Sequence, residues 1–177
     1  MRKYIKTPAG EKRPVKQLRS RVSIIPMILM FFMMAFIFLM SSMPASESSF
    51  LSDFIVRVLR RLIPVFDQLS GDAYEGALMF LTWLVRKGAH FFEYFLLGGF
   101  ALLTFSSFMR WAWPSLPVAV AVCFGFATSD EIHQYFVPGR VTMKGDILID
   151  ASGAILGAIL FFLIARPRVF LVMDDAG

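Results

Sequence analysis

The chain has 177 residues, of which 57% are hydrophobic and 18% charged, and 20 of them are phenylalanine. This apolar share exceeds that of soluble globular domains, so we exclude a soluble domain and predict a protein that folds in lipid. The formal net charge of +5 does not indicate a nucleic-acid partner, because the basic residues concentrate in one terminal segment that is almost free of aromatic residues.

The first 21 residues form a basic tail. Eight Lys or Arg residues precede the first apolar run, and only Glu11 opposes them. Such a tail is typical of the cytoplasmic flank of a membrane span, with attraction to anionic lipid headgroups as a second role. We therefore predict a cytoplasmic tail over residues 1–21, membrane lipid as a partner and no binding of nucleic acid.

Residues 22–43 are predicted to form the first transmembrane helix. The apolar run from Val22 to about Met40 is longer than the roughly 7–15 apolar residues of a secretory signal peptide. Met43, Pro44 and Ala45 do not make a small-x-small cleavage site. We interpret the segment as a retained membrane anchor.

Residues 44–77 are predicted to be an extracytoplasmic interfacial segment. On a helical wheel, residues 46–67 place apolar side chains such as Phe54 and Val58 on one side and Asp53, Arg57 and Arg61 on the other. A helix patterned this way is too polar to span and is typical of the membrane interface, where it would end near Pro64. Two roles stay open, a lid that binds lipid headgroups over a site and a plain connector.

Three further spans are predicted at about residues 78–105, 113–135 and 146–165. The fold class is therefore all-α, a polytopic membrane helix bundle of about four transmembrane helices plus an interfacial amphipathic helix. Eleven of the 18 Lys and Arg residues fall on the N-terminal side of the membrane, counting Arg110, Arg166 and Arg168. This bias predicts a multi-pass protein of the cell membrane with both termini in the cytoplasm, including residues 166–177.

Ionisable residues gather at one end of the last three spans. They lie near the start of the second span, at the end of the third and at the start of the fourth, and alternating helix directions bring these ends to one membrane face. That face is extracytoplasmic in the predicted orientation. The residues are Arg86, Lys87, His90 and Glu93, then Asp130, Glu131, His133 and Gln134, and finally Lys144, Asp146 and Asp150.

The helical phase of these residues predicts that they point inward. At about 100° per residue, the polar residues of the second span fall within an arc of about 120°, which excludes Phe91, Phe92 and Phe95. In the fourth span, Asp146 and Asp150 share a stripe with a GxxxG pattern, which allows a neighbouring helix to approach closely. That neighbour belongs either to the same chain or to a second copy, so the sequence leaves the oligomeric state open.

Charges at membrane depth cost several kcal/mol unless they are paired or hydrated. One interpretation is structural, because five carboxylates and four basic side chains form a nearly balanced salt-bridge network. Ion pairs rarely repay their desolvation, however, so a functional site is the favoured interpretation of the cluster as a whole.

A metal site is one hypothesis for the cluster. His90 and His133, with Glu93 or Asp146 as a third ligand, are suited to a zinc site with one position open for water. The alternative is that each histidine only forms a hydrogen bond with a neighbouring carboxylate. No recognised zinc motif surrounds either residue.

A phosphate site is a second hypothesis. The carboxylates Asp130, Asp146 and Asp150 are suited to hold a divalent cation that clamps a phosphate. The basic partners of that phosphate would be Arg86, Lys87 and Arg140. The alternative for Arg140, which follows Pro138 and Gly139, is that it folds back onto a carboxylate and fixes the loop.

Three motifs resemble the VanZ-like family of membrane proteins. They are Lys-x-x-His-x-x-Glu-Tyr at residues 87–94, Asp-Glu-x-x-Gln at 130–134 and Pro-Gly-Arg at 138–140, followed by Asp146, Asp150, Gly153 and Gly157. The resemblance covers roughly residues 83–160 and marks residues 78–165 as a three-helix VanZ-like core. It implies a bacterial cell-envelope protein, since the founding member is associated with low-level resistance to the glycopeptide antibiotic teicoplanin.

Two classes of function follow. The first is an envelope enzyme or binding protein for a lipid-linked or phosphate-bearing substrate, and the second is a non-catalytic assembly or transport protein whose charge cluster stabilises or gates the bundle. For the first class, the candidate catalytic residues are His90, Glu93, Asp130 and Asp146. The candidate substrate-binding residues are Arg86, Lys87, Glu131, Gln134, Arg140 and Asp150.

Overall fold

The computed structural model describes residues 4–6, 12–109, 113–140 and 144–174, with described side chains at 24–44, 52–109, 113–140 and 145–165. Arg110, the Glu11 of the basic tail and residues 141–143 lie outside these ranges. The side chains of Lys144, Arg166 and Arg168 also lie outside them. The charge bias that predicts orientation therefore rests largely on residues that the structure leaves undescribed.

Five long helices follow one another within the described ranges. They are α1 (Val15–Ser42), α2 (Ala45–Leu62), α3 (Gly71–Phe108), α4 (Ser115–Tyr135) and α5 (Lys144–Asp174). A short 3-10 helix, Pro64–Gln68, joins α2 to α3, and two three-residue strands, β1 (Tyr4–Lys6) and β2 (Lys12–Pro14), pair antiparallel before α1.

The predicted fold class is confirmed. Four helices contain segments long and apolar enough to cross a membrane, namely Ile24–Ser42, Gly71–Phe108, Ser115–Tyr135 and Gly145–Ala165. The helix α2 is the amphipathic element between the first two. Its apolar residues Val56 and Leu59 pack with Leu81 of α3, while Phe54, Val58 and other apolar residues are exposed.

The helix α3 begins at Gly71, well before the predicted start of the second span. Residues 71–77 are too polar for hydropathy to include them in the predicted span, but in the structure they form the first two turns of α3. At 1.5 Å per residue, 38 residues extend about 57 Å, roughly twice the 30 Å hydrocarbon layer. Residues 71–86 precede the level at which α5 begins, so this part of α3 projects beyond the bundle.

The parallel helices α3 and α5 make the closest contact in the molecule. A methyl group added at Gly157 would overlap the carbonyl oxygen of Phe95, and one added at Gly153 would overlap that of Phe91. Gly98 of α3 meets the carbonyl group of Ala154 in the same way. The GxxxG stripe therefore packs within the chain, and only glycine permits this spacing.

The bundle core lies below the charged face. Ile37 of α1, Leu97 and Leu102 of α3, and Ala119 and Cys123 of α4 are almost completely buried. Small residues on α4 let the bulkier side chains of α1 and α3 fill the centre. This packing fixes the positions from which the polar side chains extend.

Candidate functional site

The charged face of the bundle holds two adjoining cavities. The outer cavity has a volume of about 450 Å³ and lies between the first half of α3, the turn after α4 and the start of α5. The inner chamber has a volume of about 10 Å³ and lies between α3, α4 and α5. Lys87, His90, Gln134 and Asp146 line both. The inner chamber therefore adjoins the outer cavity.

Eight of the ten predicted site residues line these cavities. Arg86 and Arg140 line only the outer cavity, and Glu131 and Asp150 line only the inner chamber. The other four predicted residues line both the outer cavity and the inner chamber. The structure thus brings together residues from three helices and one loop.

Glu93 and Asp130 line neither cavity. Glu93 lies one helical turn below His90, with its Oε2 atom 3.8 Å from the Nδ1 atom of that ring. Asp130 is 2% exposed and lies one turn before Gln134. Their predicted catalytic role stays a prediction. In the structure, Glu93 lies next to His90 and Asp130 accepts a hydrogen bond from Gln134, and both of these neighbours line the cavities.

One ion pair crosses the site. Lys87 Nζ of α3 lies 2.5 Å from Asp146 Oδ1 of α5, with both side chains about one fifth exposed. The pair forms between the middle of α3 and the first turn of α5. Because each charge is largely satisfied by the other, neither Lys87 nor Asp146 is the first choice for binding an external ion.

Arg86 and Arg140 are cations of the outer cavity that have no carboxylate partner among the described residues. Within the described part of the chain, the Arg86 guanidinium forms no ion pair or hydrogen bond. Arg140 donates to the carbonyl oxygens of Met40 and Met43 at 2.6 and 3.2 Å. Burial, and then the positive charge of Arg86, lower the pKa of Arg140, so the two guanidinium groups repel each other across the outer cavity.

The contact of Arg140 differs from one of the two sequence-based alternatives, and its predicted role in phosphate binding stays a prediction. Arg140 does not fold back onto a described carboxylate, and instead it satisfies carbonyl groups left open at the end of α1. Gly139 has a φ of 75°, which the tight turn before Arg140 requires. The turn therefore connects the cavity to the last residues of α1.

The sequence interpretation missed Ser41 and Ser42. The Ser41 hydroxyl donates to Asp130 Oδ2 at 2.9 Å, and Gln134 Nε2 donates to the same carboxylate at 2.9 Å and to Ser41 at 3.1 Å. Ser42 Oγ lies 3.1 Å from His133 Nε2. Two consecutive serines ending an apolar span were the available signal, but only the contacts show that α1 faces the site.

The histidines do not converge. His133 stacks on Phe38 of α1 and contacts Ser42, whereas His90 lines the cavities between α3 and α5. In the described ranges, no three His, Cys, Asp or Glu side chains are placed to hold a metal ion. The zinc and divalent-cation hypotheses therefore gain no support from the positions of these residues.

The outer cavity has an apolar wall beside its basic groups. Leu78, Met79, Thr82 and Trp83 of the projecting part of α3 form this wall, and Met79 and Trp83 remain largely exposed. No described side chain of α2 lines this cavity. The lid and connector interpretations of α2 both stay predictions.

Comparison with known protein families gives a match over most of the chain. A protein-family model described as VanZ/LLP1 matches residues 27–165, which extend from α1 to α5 and include every residue of the site. No curated protein and no solved structure matches the chain.

Proposed function

Since the chain belongs to the VanZ/LLP1 family of membrane proteins, we propose that its charged face binds a phosphate-bearing amphiphile of the bacterial cell envelope. The observation that carries the proposal is the composition of the outer cavity. Arg86 and Arg140 supply positive charge without a direct carboxylate partner among the described residues, and the Leu78 to Trp83 wall lies next to them. A phosphate headgroup attached to a hydrocarbon chain matches both parts.

The position of the cavity supports a ligand that resides in the membrane. Lys87 and Asp146 lie where α5 begins, so the basic groups are at the level of the lipid headgroups. Trp83 lies less than one helical turn before Arg86, and tryptophan is typical of the interface between hydrocarbon and water.

The proposed orientation places the cavity on the extracytoplasmic side, with both termini in the cytoplasm. It rests on the distribution of basic residues along the sequence. A teicoplanin-related role follows the resemblance to the founding member of the family and belongs to the same proposal. Expression of the chain in a glycopeptide-sensitive bacterium is expected to raise the teicoplanin concentration that stops growth.

A labelled lipid phosphate tests the binding proposal directly. The full chain in lipid nanodiscs is expected to bind fluorescent phosphatidate, and Arg86→Gln should weaken binding by about tenfold or more because a charge-assisted phosphate contact is lost. Arg57→Gln is the matched control, since Arg57 is exposed on α2 and does not line the cavity. Equal weakening by both substitutions, or no binding by the native chain, contradicts the proposal.

A second candidate function is supported by the contacts between helices. Lys87 with Asp146 joins α3 to α5, and Ser41 with Asp130 and Gln134 joins α1 to α4, through polar side chains that would suit a non-catalytic assembly or transport protein. Under this alternative, Glu93→Gln and Asp146→Asn reduce the amount of folded protein in the membrane. Under the binding proposal, the folded protein that does accumulate loses its effect on teicoplanin susceptibility when compared with an equal amount of the native chain.

A further inference from the structure

The inner chamber has the size and lining of a site for one water molecule. Its volume is about 10 Å³, and a buried water needs roughly 10–15 Å³ together with two to four polar partners. Seven residues line it, and six of them carry polar or charged side chains. The exception is Ile149. Such a chamber is too small for a phosphate and too polar to stay dry.

The chamber adjoins the place where the proposed phosphate would bind. Lys87, His90, Gln134 and Asp146 form a shared wall between the chamber and the outer cavity. A water in the chamber is therefore next to a phosphorus atom held by Arg86 and Arg140. That juxtaposition is what a hydrolytic reaction requires.

His90 is the group on the shared wall best suited to accept a proton. Its Nδ1 atom is buried and lies toward Glu93, so Nε2 is the ring atom left to accept a proton from a water in the chamber. Glu93 Oε2 lies 3.8 Å from Nδ1, close enough to stabilise the positive charge that forms when the ring takes a proton. Lys87 and Asp146, by contrast, neutralise each other.

From this arrangement we infer that the protein hydrolyses the phosphate ester or anhydride of its ligand, with His90 as general base toward a water in the inner chamber. The inference rests on the proposed binding of a phosphate-bearing amphiphile. A bond forms between the water oxygen and phosphorus, and the bond from phosphorus to the bridging oxygen breaks, leaving its electron pair on that oxygen. His90 accepts one proton from the water and returns it to the departing oxygen. The reaction consumes one water and needs no other reactant.

The test measures phosphate release and binding on the same samples. The full chain in nanodiscs is given phosphatidate or farnesyl diphosphate in water enriched in ¹⁸O. We expect inorganic phosphate that carries one ¹⁸O atom. His90→Gln should lower the rate by about 100-fold or more, because general-base catalysis contributes roughly 10²–10⁴-fold, while lipid-phosphate binding stays within twofold.

A pair of substitutions on α5 tests the chamber itself. Ile149→Phe fills the chamber and should also suppress phosphate release. Leu148→Phe is the matched control, because Leu148 is 69% exposed and lines neither cavity, and it should keep the native rate. Thermal unfolding of each variant shows whether it is folded.

The outcomes separate this inference from the binding proposal. Binding without phosphate release from either probe overturns the hydrolysis inference and leaves the binding proposal standing. Release of phosphate without ¹⁸O from phosphatidate, or equal rates for the two phenylalanine variants, also overturns it. Absence of binding overturns both.

Discussion

The helices α3 and α5 meet in two regions that differ in character. In the membrane interior, glycines bring the two backbones into contact at Phe91, Phe95 and Ala154. At the membrane boundary, the same helices are joined by an ion pair and enclose two cavities. The interior contact fixes the distance between the helices, and this fixed distance allows charged side chains at the boundary to surround a space. Rigid packing and an accessible site thus lie on the same pair of helices.

The largest expected effect comes from the interior region. Gly157→Ala places a methyl group against the backbone of Phe95, which cannot move aside as a flexible side chain would. We expect a loss of about 2–3 kcal/mol in the free energy of unfolding, within the range for overpacked cores. Unfolding in sodium dodecyl sulfate, followed by circular dichroism, measures this loss.

Gly125→Ala is the matched control for that substitution. Gly125 is also a helical glycine, but an added methyl group there meets nothing within 4 Å. Alanine is the better helix former by about 1 kcal/mol, so this variant should be neutral or slightly more stable than the native chain. If Gly157→Ala and Gly125→Ala lose the same stability, the close contact between α3 and α5 is not the reason that glycine is needed at position 157.

The boundary region should be less sensitive. Asp146→Asn leaves the Lys87 ammonium without its partner, and we expect a loss of about 1–2 kcal/mol, reduced because both side chains retain contact with water. The double variant Lys87→Met with Asp146→Leu should recover part of the loss. A double-mutant cycle in the same unfolding assay measures the coupling, and additive losses would show that the pair contributes nothing.

The smallest expected effect concerns the link between α1 and the site. Ser41→Ala removes one donor to Asp130 and one acceptor from Gln134, which should cost about 1 kcal/mol. Ser152→Ala is the control, since its hydroxyl is exposed and bonds only to its own helix at Ile149. A Ser41 variant as stable as the Ser152 variant would mean that α1 is held by apolar packing alone.

The sequence predicted the number of spans and the shared level of the charged residues, because hydropathy and helix direction are local properties. It also predicted the inward phase of Lys87, His90 and Asp146, which follows from 100° per residue. Partners separated by long stretches of chain have no such local signal. The bonds of Ser41 to Asp130 and of Arg140 to Met40 depend on how α1 is placed against α4, which periodicity does not determine.

Tyr94 illustrates the same limit. As an aromatic residue beside Glu93, it is predicted to be an anchor at the membrane interface. The structure buries it completely, with its hydroxyl group unpaired within the described residues. Tyr135, for which the same role is predicted, is 71% exposed. Only the arrangement of α3 among its neighbours distinguishes the two positions.

The contact of Arg140 with α1 has a consequence for how the protein is made. Met40 leaves the ribosome 100 residues before Arg140, and Ser41 leaves it 89 residues before Asp130. The first span is therefore inserted into the bilayer before Asp130 and Arg140, which bond to the C-terminal end of α1, have been synthesised. The polar contacts of its last residues form late in synthesis, when α4 and the following turn arrive. A ribosome-bound chain that stops before residue 130 should hold α1 only by its lipid-facing and apolar surfaces.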